Sequence, residues 1–457
     1  MKHAHTVEQV RAVEGELLAQ VPDGTLMARA ATGIAAVVID LLGSVYGRRV
    51  RLLVGTGDNG GDALYAGALL ARRGCAVDAV LLGAPHAAGL AALQQAGGRI
   101  ADQRSRRPDV VLDGIVGIGG HPGLRPDAVA ALADVDGVPV VAVDVPSGVS
   151  VDDGRIDGPH VQAAVTVTLG THKVAHLVDP AAGACGTVVL VDIGLDPPQA
   201  DVTALQASDV TDLLPRPSAT AHKYTRGVVG IRSGSAQYPG AALLSVAGAN
   251  CGLVGMVRYD GEVADLVRTV HPEVVGDGQV QAWVVGSGGG AGAAQALAAC
   301  LEAGVATVID ADALLHVSGP LSPPVILTPH AGELARMLGV ERHEIEASQL
   351  RYARIAAERF AATVVLKGRH TLTAAPDGRV RVTTTGVPWL ATAGAGDVLA
   401  GLIGVLAAAG LDPFDAASVG SWLHGAAATM AADGGPVLAH QVAAAIPVAV
   451  RTLIAGT

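Results

Sequence analysis

Hydrophobic positions divide the chain into a helical beginning and two long series of short apolar runs. Residues 7–45 carry apolar side chains at spacings of three and four, the period of an amphipathic helix. Beyond them, short runs rich in β-branched residues alternate with Ala- and Leu-rich stretches of helical period. The runs lack strict polar–apolar alternation, which is typical of parallel strands covered by helices on both faces. The first series predicts strands at 50–54, 77–82, 110–112, 138–143, 165–169 and 188–191.

A second series of the same kind follows a polar connection. Residues 205–226 contain Pro215, Pro217 and Ser218 but few apolar side chains, so the sequence predicts a domain boundary there. We divide the chain into domains 1–208 and 209–457, each a three-layer αβα domain of the α/β class. The second series predicts strands at 228–231, 254–257, 280–285, 306–309, 325–327 and 364–366.

Composition narrows the classes of function. Half of the 457 residues are hydrophobic and 2% are aromatic, so the cores must consist of Ala, Val and Leu. The net charge of −11, without a basic run that includes aromatics, speaks against a nucleic-acid partner. The four cysteines form no CxxC pair, so we expect no zinc site or disulfide framework and predict a cytoplasmic protein. A charged N-terminal region and the interrupted apolar stretches predict no membrane span or membrane partner.

Three predicted strands of the first domain end in carboxylates or amides followed by glycine. The first strand leads into GTGDNGGD at 55–62. Two later strands end at Asp113, before GIVGIGG, and at Asp144, before VPSG. Carboxyl ends of parallel strands meet at one edge of a sheet, where ligands bind. Each aspartate alone could equally cap a helix, but their coincidence favours a site.

The sequences GDNGGD, DGIVGIGG and DVPSG together resemble the N-terminal epimerase domain of the bifunctional enzymes that repair hydrated NADH and NADPH. The resemblance covers residues 7–205 and implies a Rossmann-like domain in which Asp144 contacts the substrate. We assign Asp144 as the acid/base group that inverts the hydroxylated carbon. It also implies a potassium ion held by Asn59, Asp113 and Ser147, which are oxygen ligands of the kind that a hard cation prefers. The chain departs from the usual pattern of that domain at Asp58, Ala63 and Gly119-Gly120. The implied substrate contacts are Asp58, Asn59, Gly60, Gly61, Asp62, Gly117, Ile118, Gly119, Gly120, His121, Pro122, Gly123 and Asp144.

Late in the second domain, the sequence GAGD at 394–397 places an acid beside a predicted anion pocket. Glycines let backbone N–H groups turn inward at a helix start, which favours binding of a phosphate. Asp397, on the first turn of that helix, could take the proton of a hydroxyl that receives a phosphoryl group. Alone, GAGD could be an ordinary loop-to-helix junction. Glycine- and acid-rich strand ends earlier in the domain favour a site.

The phrases HKYTRG, TPHAGE, VVLKG and ATAGAGDVLAG, in that order, resemble the ribokinase-like superfamily and most closely its NAD(P)H-hydrate dehydratases. The resemblance covers residues 210–455 and implies ADP as phosphoryl donor with Mg²⁺. Asp397 would activate the hydroxyl of the hydrated ring for phosphorylation, and phosphate would then leave. The implied substrate contacts are Ala241, Gly288, His330 and Asp397, and the implied nucleotide contacts are Lys367, Gly368, Arg369, His370, Thr371, Gly394 and Gly396.

Two other functions remain open at this point. The second domain could be a hydroxyl kinase that releases a stable phosphorylated product, and the first could bind a nucleotide or protein without catalysis. The expected partners are hydrated NADH and NADPH (NADHX and NADPHX) together with ADP. The resemblance, together with Ala- and Val-rich helical faces, predicts a homo-oligomer.

Overall fold

The structure is a computed structural model that describes residues 1–102, 106–322 and 324–456. The chain divides into two compact units, His3–Asp201 and Val202–Thr457, with Met1–Lys2 joined to the second. Each unit has the α/β architecture that the sequence predicts. The division falls at residue 201 instead of 208 because the strand Val202–Ala204 pairs with Val380–Thr383 of the second unit.

The first unit is built on a parallel sheet. Its seven strands run in the order β4-β3-β2-β5-β6-β7-β9, and each pairs in parallel with its neighbours. Two short strands, β1 and β8, pair in parallel with each other. In chain order the strands are β1 (Lys2–His5), β2 (Arg49–Val54), β3 (Ala76–Leu81), β4 (Arg99–Ile100), β5 (Val110–Gly114), β6 (Val140–Val143), β7 (Val165–Leu169), β8 (His172–Lys173) and β9 (Thr187–Val191).

Helices cover both faces of this sheet. Leu52 of β2 faces a core shared with the second and third helices, whereas Leu53 faces a core shared with the fifth. The region 7–45 forms two helices because the chain turns at Gly24, whose φ is 78°. The second helix is long and apolar enough to cross a membrane, but Ile34 and Val38 on it are buried in the core. The helices are α1 (Val7–Leu18), α2 (Thr25–Leu42), α3 (Asp58–Arg72), α4 (Ala87–Gln95), α5 (Pro126–Ala133) and α6 (Ala181–Ala184).

The sheet of the second unit is mixed. Its strands run in the order β12-β11-β13-β14-β15-β16-β17-β18-β10 and are parallel from β12 to β16. A hairpin then adds β17 and β18 antiparallel, and β10 joins β18 in parallel. The strands are β10 (Val202–Ala204), β11 (Val228–Arg232), β12 (Met256–Tyr259), β13 (Ala282–Val285), β14 (Ala306–Ile309), β15 (Val325–Leu327), β16 (Thr363–Leu366), β17 (Thr371–Ala374) and β18 (Val380–Thr383).

The helices Pro239–Ala249 and Ala395–Ala408 of this unit cross with their backbones in close contact. A Cβ at Gly401 would lie 2.1 Å from Ser245 O, and one at Gly248 would lie 2.2 Å from Val398 O. This crossing places the start of the helix that carries Asp397. The helices are α7 (Ala207–Leu213), α8 (Pro239–Ala249), α9 (Ala264–Val270), α10 (Ala293–Glu302), α11 (Ala331–Leu338), α12 (Arg342–Ala347), α13 (Gln349–Phe360), α14 (Ala395–Ala408), α15 (Pro413–Ala432) and α16 (Ala439–Ala455).

Candidate active sites

Polar side chains of the first unit meet at the carboxyl ends of β2, β5 and β6. Asp113 of β5 is fully buried and accepts hydrogen bonds from Ser147 Oγ at 2.6 Å and Ser147 N at 2.8 Å. The amide of Ile115 donates a third hydrogen bond at 3.2 Å. Burial raises the pKa of Asp113 to about 6, although these donors oppose the shift. A carboxylate buried among neutral donors is an environment that a cation would stabilise.

Asn59 lies at the same edge, in the first turn of α3. Its Nδ2 donates to Val143 O at 2.6 Å, while its Oδ1 faces the loop after β5. A Cβ at Gly117 would lie 2.3 Å from that Oδ1, so a larger residue would displace the amide. Ser147 Oγ accepts a hydrogen bond from Val116 N in the same loop at 2.9 Å. The carboxylate, amide and hydroxyl oxygens grouped here are suited to a hard cation.

The implied substrate segment 117–123 runs along this group of oxygens. Gly123 N donates to Gly148 O at 2.8 Å, which ties the segment to the turn after β6. On its other side, a Cβ at Gly119 would lie 2.9 Å from an Arg11 guanidinium nitrogen. The segment therefore lies between helix α1 and the strand ends that carry the polar side chains.

Asp144 follows β6 and is fixed by a buried lysine. Lys173 Nζ donates to Asp144 Oδ1 at 2.5 Å, and the two side chains are 1% and 7% exposed. The same oxygen accepts from the amide of Leu169 at 3.1 Å and the hydroxyl of Thr168 at 3.3 Å. Lys173 Nζ also contacts Leu169 O and Thr168 Oγ1, so its three protons have acceptors. Among the described residues nothing donates to Asp144 Oδ2, which leaves that oxygen for a ligand.

The backbone of Asp144 is secured as well. Its φ is 67°, a left-handed conformation that is unusual for a residue with a Cβ. His176 Nδ1 accepts from Lys173 N at 2.9 Å, so Nε2 carries the proton that it donates to Asp144 O at 2.9 Å. Burial lowers the pKa of His176 well below its usual value, and the charge of Lys173 lowers it further. The segment from Lys173 to His176 thus holds both the carboxylate and the carbonyl of Asp144.

Further acidic side chains surround this ion pair. Burial raises the pKa of Asp62 well above its usual value, and the charges of Asp144 and Asp58 add to the shift. Burial also raises the pKa of Glu14 of α1, although the charge of Lys173 opposes this shift. Lys173 is therefore a buried cation that pairs with Asp144 and favours the ionised form of Glu14.

Sequence reasoning missed Lys173, His176 and Glu14. The signal for the first two was a fourth strand end: they directly follow the predicted strand 165–169, in an otherwise apolar segment. Glu14 had no such signal, because it lies on a helix that reads only as amphipathic.

In the second unit, Asp397 lies in the first turn of α14. Gly394, with φ 88°, turns the chain into the helix. Burial raises the pKa of Asp397 to about 7, and the charge of Asp310 raises it further, whereas Ser287 and Lys367 lower it. A carboxyl group with a pKa near neutral pH is well matched to the work of a general base.

Asp310, after β14, has both oxygens occupied. Oδ1 accepts from Thr328 Oγ1 at 2.7 Å and Lys367 Nζ at 2.9 Å, and Oδ2 accepts from Ser287 Oγ at 2.9 Å. Burial raises the pKa of Asp310, but the charge of Lys367 and the hydrogen bonds outweigh it and lower the pKa overall. Asp310 is therefore ionised, and its charge opposes ionisation of Asp397.

Lys367 connects this pair of acids to the start of α14. Its Nζ lies 2.9 Å from Asp310 and 3.8 Å from Glu333 Oε2. A Cβ at Gly396 would lie 3.4 Å from the same Nζ. The ammonium therefore points away from the exposed part of segment 367–371 and toward the amides of α14. An anion bound there would meet both the helix start and a positive charge.

His330 caps α11. Its Nδ1 accepts from Gly332 N at 3.0 Å and Glu333 N at 3.1 Å, and its ring is 53% exposed. The backbone of His330 pairs with that of Lys367 in an isolated bridge. His330 thus has a structural role that leaves its outer ring edge accessible beside the lysine.

Ala241 and Gly288 lie against each other at the opposite side of the same edge. Gly288 has φ 61°, and a Cβ on it would lie 2.7 Å from the Ala241 Cβ. The adjoining Ser287 is the residue that donates to Asp310. The loop after β13 therefore links these two small residues to the acids around Asp397.

Comparisons with known proteins agree across almost the whole chain. The family described as YjeF-related protein N-terminus matches residues 23–175, and the NAD(P)H-hydrate dehydratase family matches 229–448. A bifunctional NAD(P)H-hydrate repair enzyme Nnr of Mycobacterium leprae is 47% identical, covering 95% of this chain and 96% of its own. The Mycobacterium tuberculosis enzyme (strain H37Rv) is 45% identical over 92% of both chains.

A solved structure is similar to the second unit. The ADP/ATP-dependent NAD(P)H-hydrate dehydratase of Bacillus subtilis, co-crystallised with ATP and Mg²⁺, is 32% identical to this chain. It superposes with a TM-score of 0.52 and covers 55% of this chain and 99% of its own. The ribokinase-like fold predicted for residues 210–455 is confirmed.

Proposed function

The chain belongs to the family of bifunctional NAD(P)H-hydrate repair enzymes, and from that premise we propose how its two sites work. It is an NAD(P)H-hydrate epimerase and dehydratase. We assign epimerisation to the first unit through Asp144, and dehydration of the S form to the second unit through Asp397. The phosphoryl donor of the second reaction is ADP, and its products are NAD(P)H, AMP and phosphate.

Dehydration begins at Asp397, which takes the proton of the ring hydroxyl while that oxygen attacks the terminal phosphoryl group of ADP. AMP leaves, with segment 367–371 holding the nucleotide and the amides of Gly394 and Gly396 facing the transferred group. The new phosphate ester lies on a carbon next to nitrogen, so the nitrogen lone pair expels phosphate. Loss of a proton from the neighbouring carbon restores the dihydronicotinamide. The position of Asp397 in the first turn of α14, beside the glycine amides and Lys367, carries this assignment, and a pKa raised by burial to about 7 agrees with it.

Mg²⁺ would enter with the nucleotide and neutralise charge on its phosphates. Asp310 has both oxygens occupied. Glu333, near Lys367, accepts from His330 N through Oε2 and has Oε1 3.6 Å from His330 Nε2, so it would hold the ion only through its remaining lone pairs. His330, Ala241 and Gly288 would contact the hydrated ring and its attached sugar.

The test of the dehydratase follows recovery of dihydronicotinamide absorbance from hydrated NADPH, once with ADP and once with ATP. We expect recovery with ADP, together with equal amounts of AMP and phosphate. A stable phosphorylated dinucleotide without absorbance recovery would identify a hydroxyl kinase instead.

For epimerisation, Asp144 Oδ2 moves a proton between the ring hydroxyl and the ring nitrogen. The hydroxyl proton passes to Asp144 and then to nitrogen as the carbon–nitrogen bond opens to an aldehyde. Rotation of the aldehyde and closure on its other face reverse these steps and invert the carbon. The segments 58–62 and 117–123 would hold the substrate, and K⁺ would bind to Asn59, Asp113 and Ser147. The grouping of the buried Asp113 carboxylate with the Ser147 hydroxyl and the Asn59 amide oxygen supports the ion.

The variant Asp144→Ala tests this assignment. It should no longer consume the R epimer but should dehydrate pure S epimer at the normal rate, because the second unit carries its own site. A thermal melt of the variant checks that it folds. Normal epimerisation by folded protein would remove Asp144 from the role.

We also propose that the enzyme is a cytoplasmic homo-oligomer. All four cysteines are buried thiols, which fits a reducing compartment. Exposed Tyr224, Tyr238 and Trp389 of the second unit provide apolar surface for contact between copies. Light scattering at working concentration should give a multiple of the 457-residue chain mass, and a monomeric mass would end this idea.

A further inference from the structure

A cavity of about 300 Å³ opens at the carboxyl edge of the second unit, outside the residues assigned to nucleotide or ring. Its walls come from the ends of β11, β12 and β13 and from α10 between Ala293 and Ala299. The polar groups that line it include Arg232, Asp260 and Glu262. Its volume lies at the lower end of the range for small-molecule pockets, which suits part of a ligand.

The cavity lies where the strand order reverses. From β11 the chain passes through α8 to β12 on one side, whereas β13 pairs with β11 on the other and leads to β14. Such a reversal leaves a crevice beyond the strand ends, and ligands of open α/β sheets bind there. The loops after β11 and β13 are joined by a hydrogen bond from Gly234 N to Ser287 O at 2.7 Å, and Ser233, Gly234, Gly286 and Gly289 line the cavity.

The loop after β13 joins the cavity to the reacting acids. Gly286 and Gly289 line the cavity, while Ser287 between them donates to Asp310 at 2.9 Å. Gly288, in contact with Ala241, lies on the same loop. A ligand with one end at Asp397 can therefore cross this loop and place its other end in the cavity.

Asp260 and Glu262 each use one carboxylate oxygen for hydrogen bonds within this unit, and no described residue donates to the other oxygen. Arg232 donates to Asp260 Oδ2 through Nε at 2.9 Å and Nη2 at 2.7 Å, and nothing among the described residues donates to Oδ1. Glu262 uses Oε2 to accept from Ala236 N at 3.0 Å. The guanidinium itself is neutralised by Asp260 and stacked on Trp283, 4.3 Å from its ring centre. The cavity therefore offers hydrogen-bond acceptors and a net negative charge.

We infer that this cavity binds the adenosine end of the hydrated dinucleotide and that Asp260 accepts hydrogen bonds from its ribose, so that the dehydratase prefers NADHX over NADPHX. The inference rests on the proposed dehydratase activity. Negative charge excludes the pyrophosphate, whereas the ribose hydroxyls and the adenine amine are donors. An acid after the strand that neighbours a glycine loop selects a free 2′-hydroxyl in dinucleotide sites, since it repels a 2′-phosphate.

The spacing of the strands agrees with such a ligand. Asp260 follows β12, whereas Asp310, which acts on Asp397, follows β14, three positions along the sheet. With about 4.8 Å between neighbours, the two ends lie roughly 14 Å apart. That separation suits a dinucleotide that spans the loop after β13 and is too long for the ring and its sugar alone.

The test compares kcat/KM of the full-length enzyme for the S epimers of NADHX and NADPHX with ADP in excess. Wild type should prefer NADHX by about tenfold or more, since the carboxylate of Asp260 repels a 2′-phosphate placed beside it. Asp260→Ser removes the acid and frees Arg232 to meet a 2′-phosphate, so the preference should fall to unity or reverse. Asp265→Asn, which removes the same charge from an exposed position on α9, should keep the wild-type ratio.

The experiment distinguishes a failure of the proposed dehydratase activity from a failure of the proposed binding in the cavity. If neither substrate is dehydrated with ADP, the dehydratase assignment fails. If wild type dehydrates both with equal kcat/KM, or if folded Asp260→Ser keeps the wild-type ratio, the assignment of the cavity is overturned. The wild-type ratio needs no variant, so a failure of Asp260→Ser to fold leaves the proposal open to refutation.

Discussion

The two proposed catalytic carboxylates are supported in opposite ways. Asp144 has one oxygen occupied by Lys173, Leu169 and Thr168, and its charge is paired in a buried position. Asp397 has an ionised acid, Asp310, as its neighbour, and its pKa is raised to about 7. In the second unit, the buried lysine Lys367 pairs with Asp310 at 2.9 Å and not with the proposed base, Asp397.

This difference matches the two reactions. Asp144 must give back the proton that it takes, so a fixed geometry with one free oxygen serves both directions. Asp397 takes a proton in a phosphoryl transfer where a stronger base is useful, and a raised pKa makes a carboxylate a stronger base. Four predictions test this contrast.

The largest effect is expected from Asp397→Asn. The side-chain amide of asparagine cannot take the hydroxyl proton, so ADP-dependent dehydration should fall by about 10²–10⁴-fold. Epimerisation by the first unit of the same protein is the internal control and should be unchanged. Near-wild-type dehydration by a folded variant would remove Asp397 from the role of base.

Lys173→Met should break the support of Asp144. Removing one partner of a buried ion pair typically costs about 3–5 kcal/mol of stability, so the first unit should unfold at lower denaturant concentration and lose epimerisation. The double variant Lys173→Met/Asp144→Asn should recover much of the stability but none of the activity. Lys223→Met, at an exposed lysine of the second unit, should leave the stability of the first unit and its epimerisation unchanged. If Lys173→Met were as stable as wild type, the Lys173–Asp144 ion pair would not stabilise the first unit.

Asp113→Asn sharpens the comparison at the ion proposed for the first unit. Loss of the only charged ligand should raise the K⁺ concentration for half-maximal epimerisation by roughly tenfold, equivalent to about 1.4 kcal/mol. High K⁺ should partly restore the rate, because Asp144 is still in place. Asp109→Asn, just before the same strand, should leave the K⁺ dependence unaltered. An epimerase indifferent to K⁺ in both variants would exclude the ion site.

The smallest effect concerns stability against pH. The folded pKa of Asp397 lies above 3.8, so the folded state binds the proton more tightly and loses stability as pH rises from about 4 to 7. Asp397→Asn has no such loss, and its second unit should melt later than wild type at pH 8. Each kcal/mol corresponds to about 2–4 °C. The gain should vanish near pH 4, and equal melting at both pH values would contradict the raised pKa.

Much of the fold follows from local pattern. The apolar runs at 50–54, 165–169 and 306–309 became β2, β7 and β14 because β-branched runs between helices have few alternatives. The run at 254–257 became a strand two residues later, Met256–Tyr259. β17 and β18 were not predicted, because a hairpin attached to a parallel sheet breaks the alternation of strand and helix.

The site residues likewise fall into those that the sequence can identify and those that it cannot. Acids directly after strands, such as Asp113 and Asp144, can be found from sequence because parallel strand ends converge. Their supports cannot, since Lys173 acts from 29 residues away in the chain. Asp260 also follows a strand, but nothing local distinguishes its charge from a solvated one until the cavity and Arg232 are seen together.

The crossing of α8 and α14 has a consequence for mutational screens. Gly248 and Gly401 touch no reactant, yet even an alanine at either would place its methyl group within about 2.2 Å of a carbonyl in the opposing helix. The helices would separate and carry the first turn of α14 with them. Saturation mutagenesis scored by dehydration should therefore find these two positions as intolerant as Asp397, and only a soluble-yield measurement beside it would tell scaffold from chemistry.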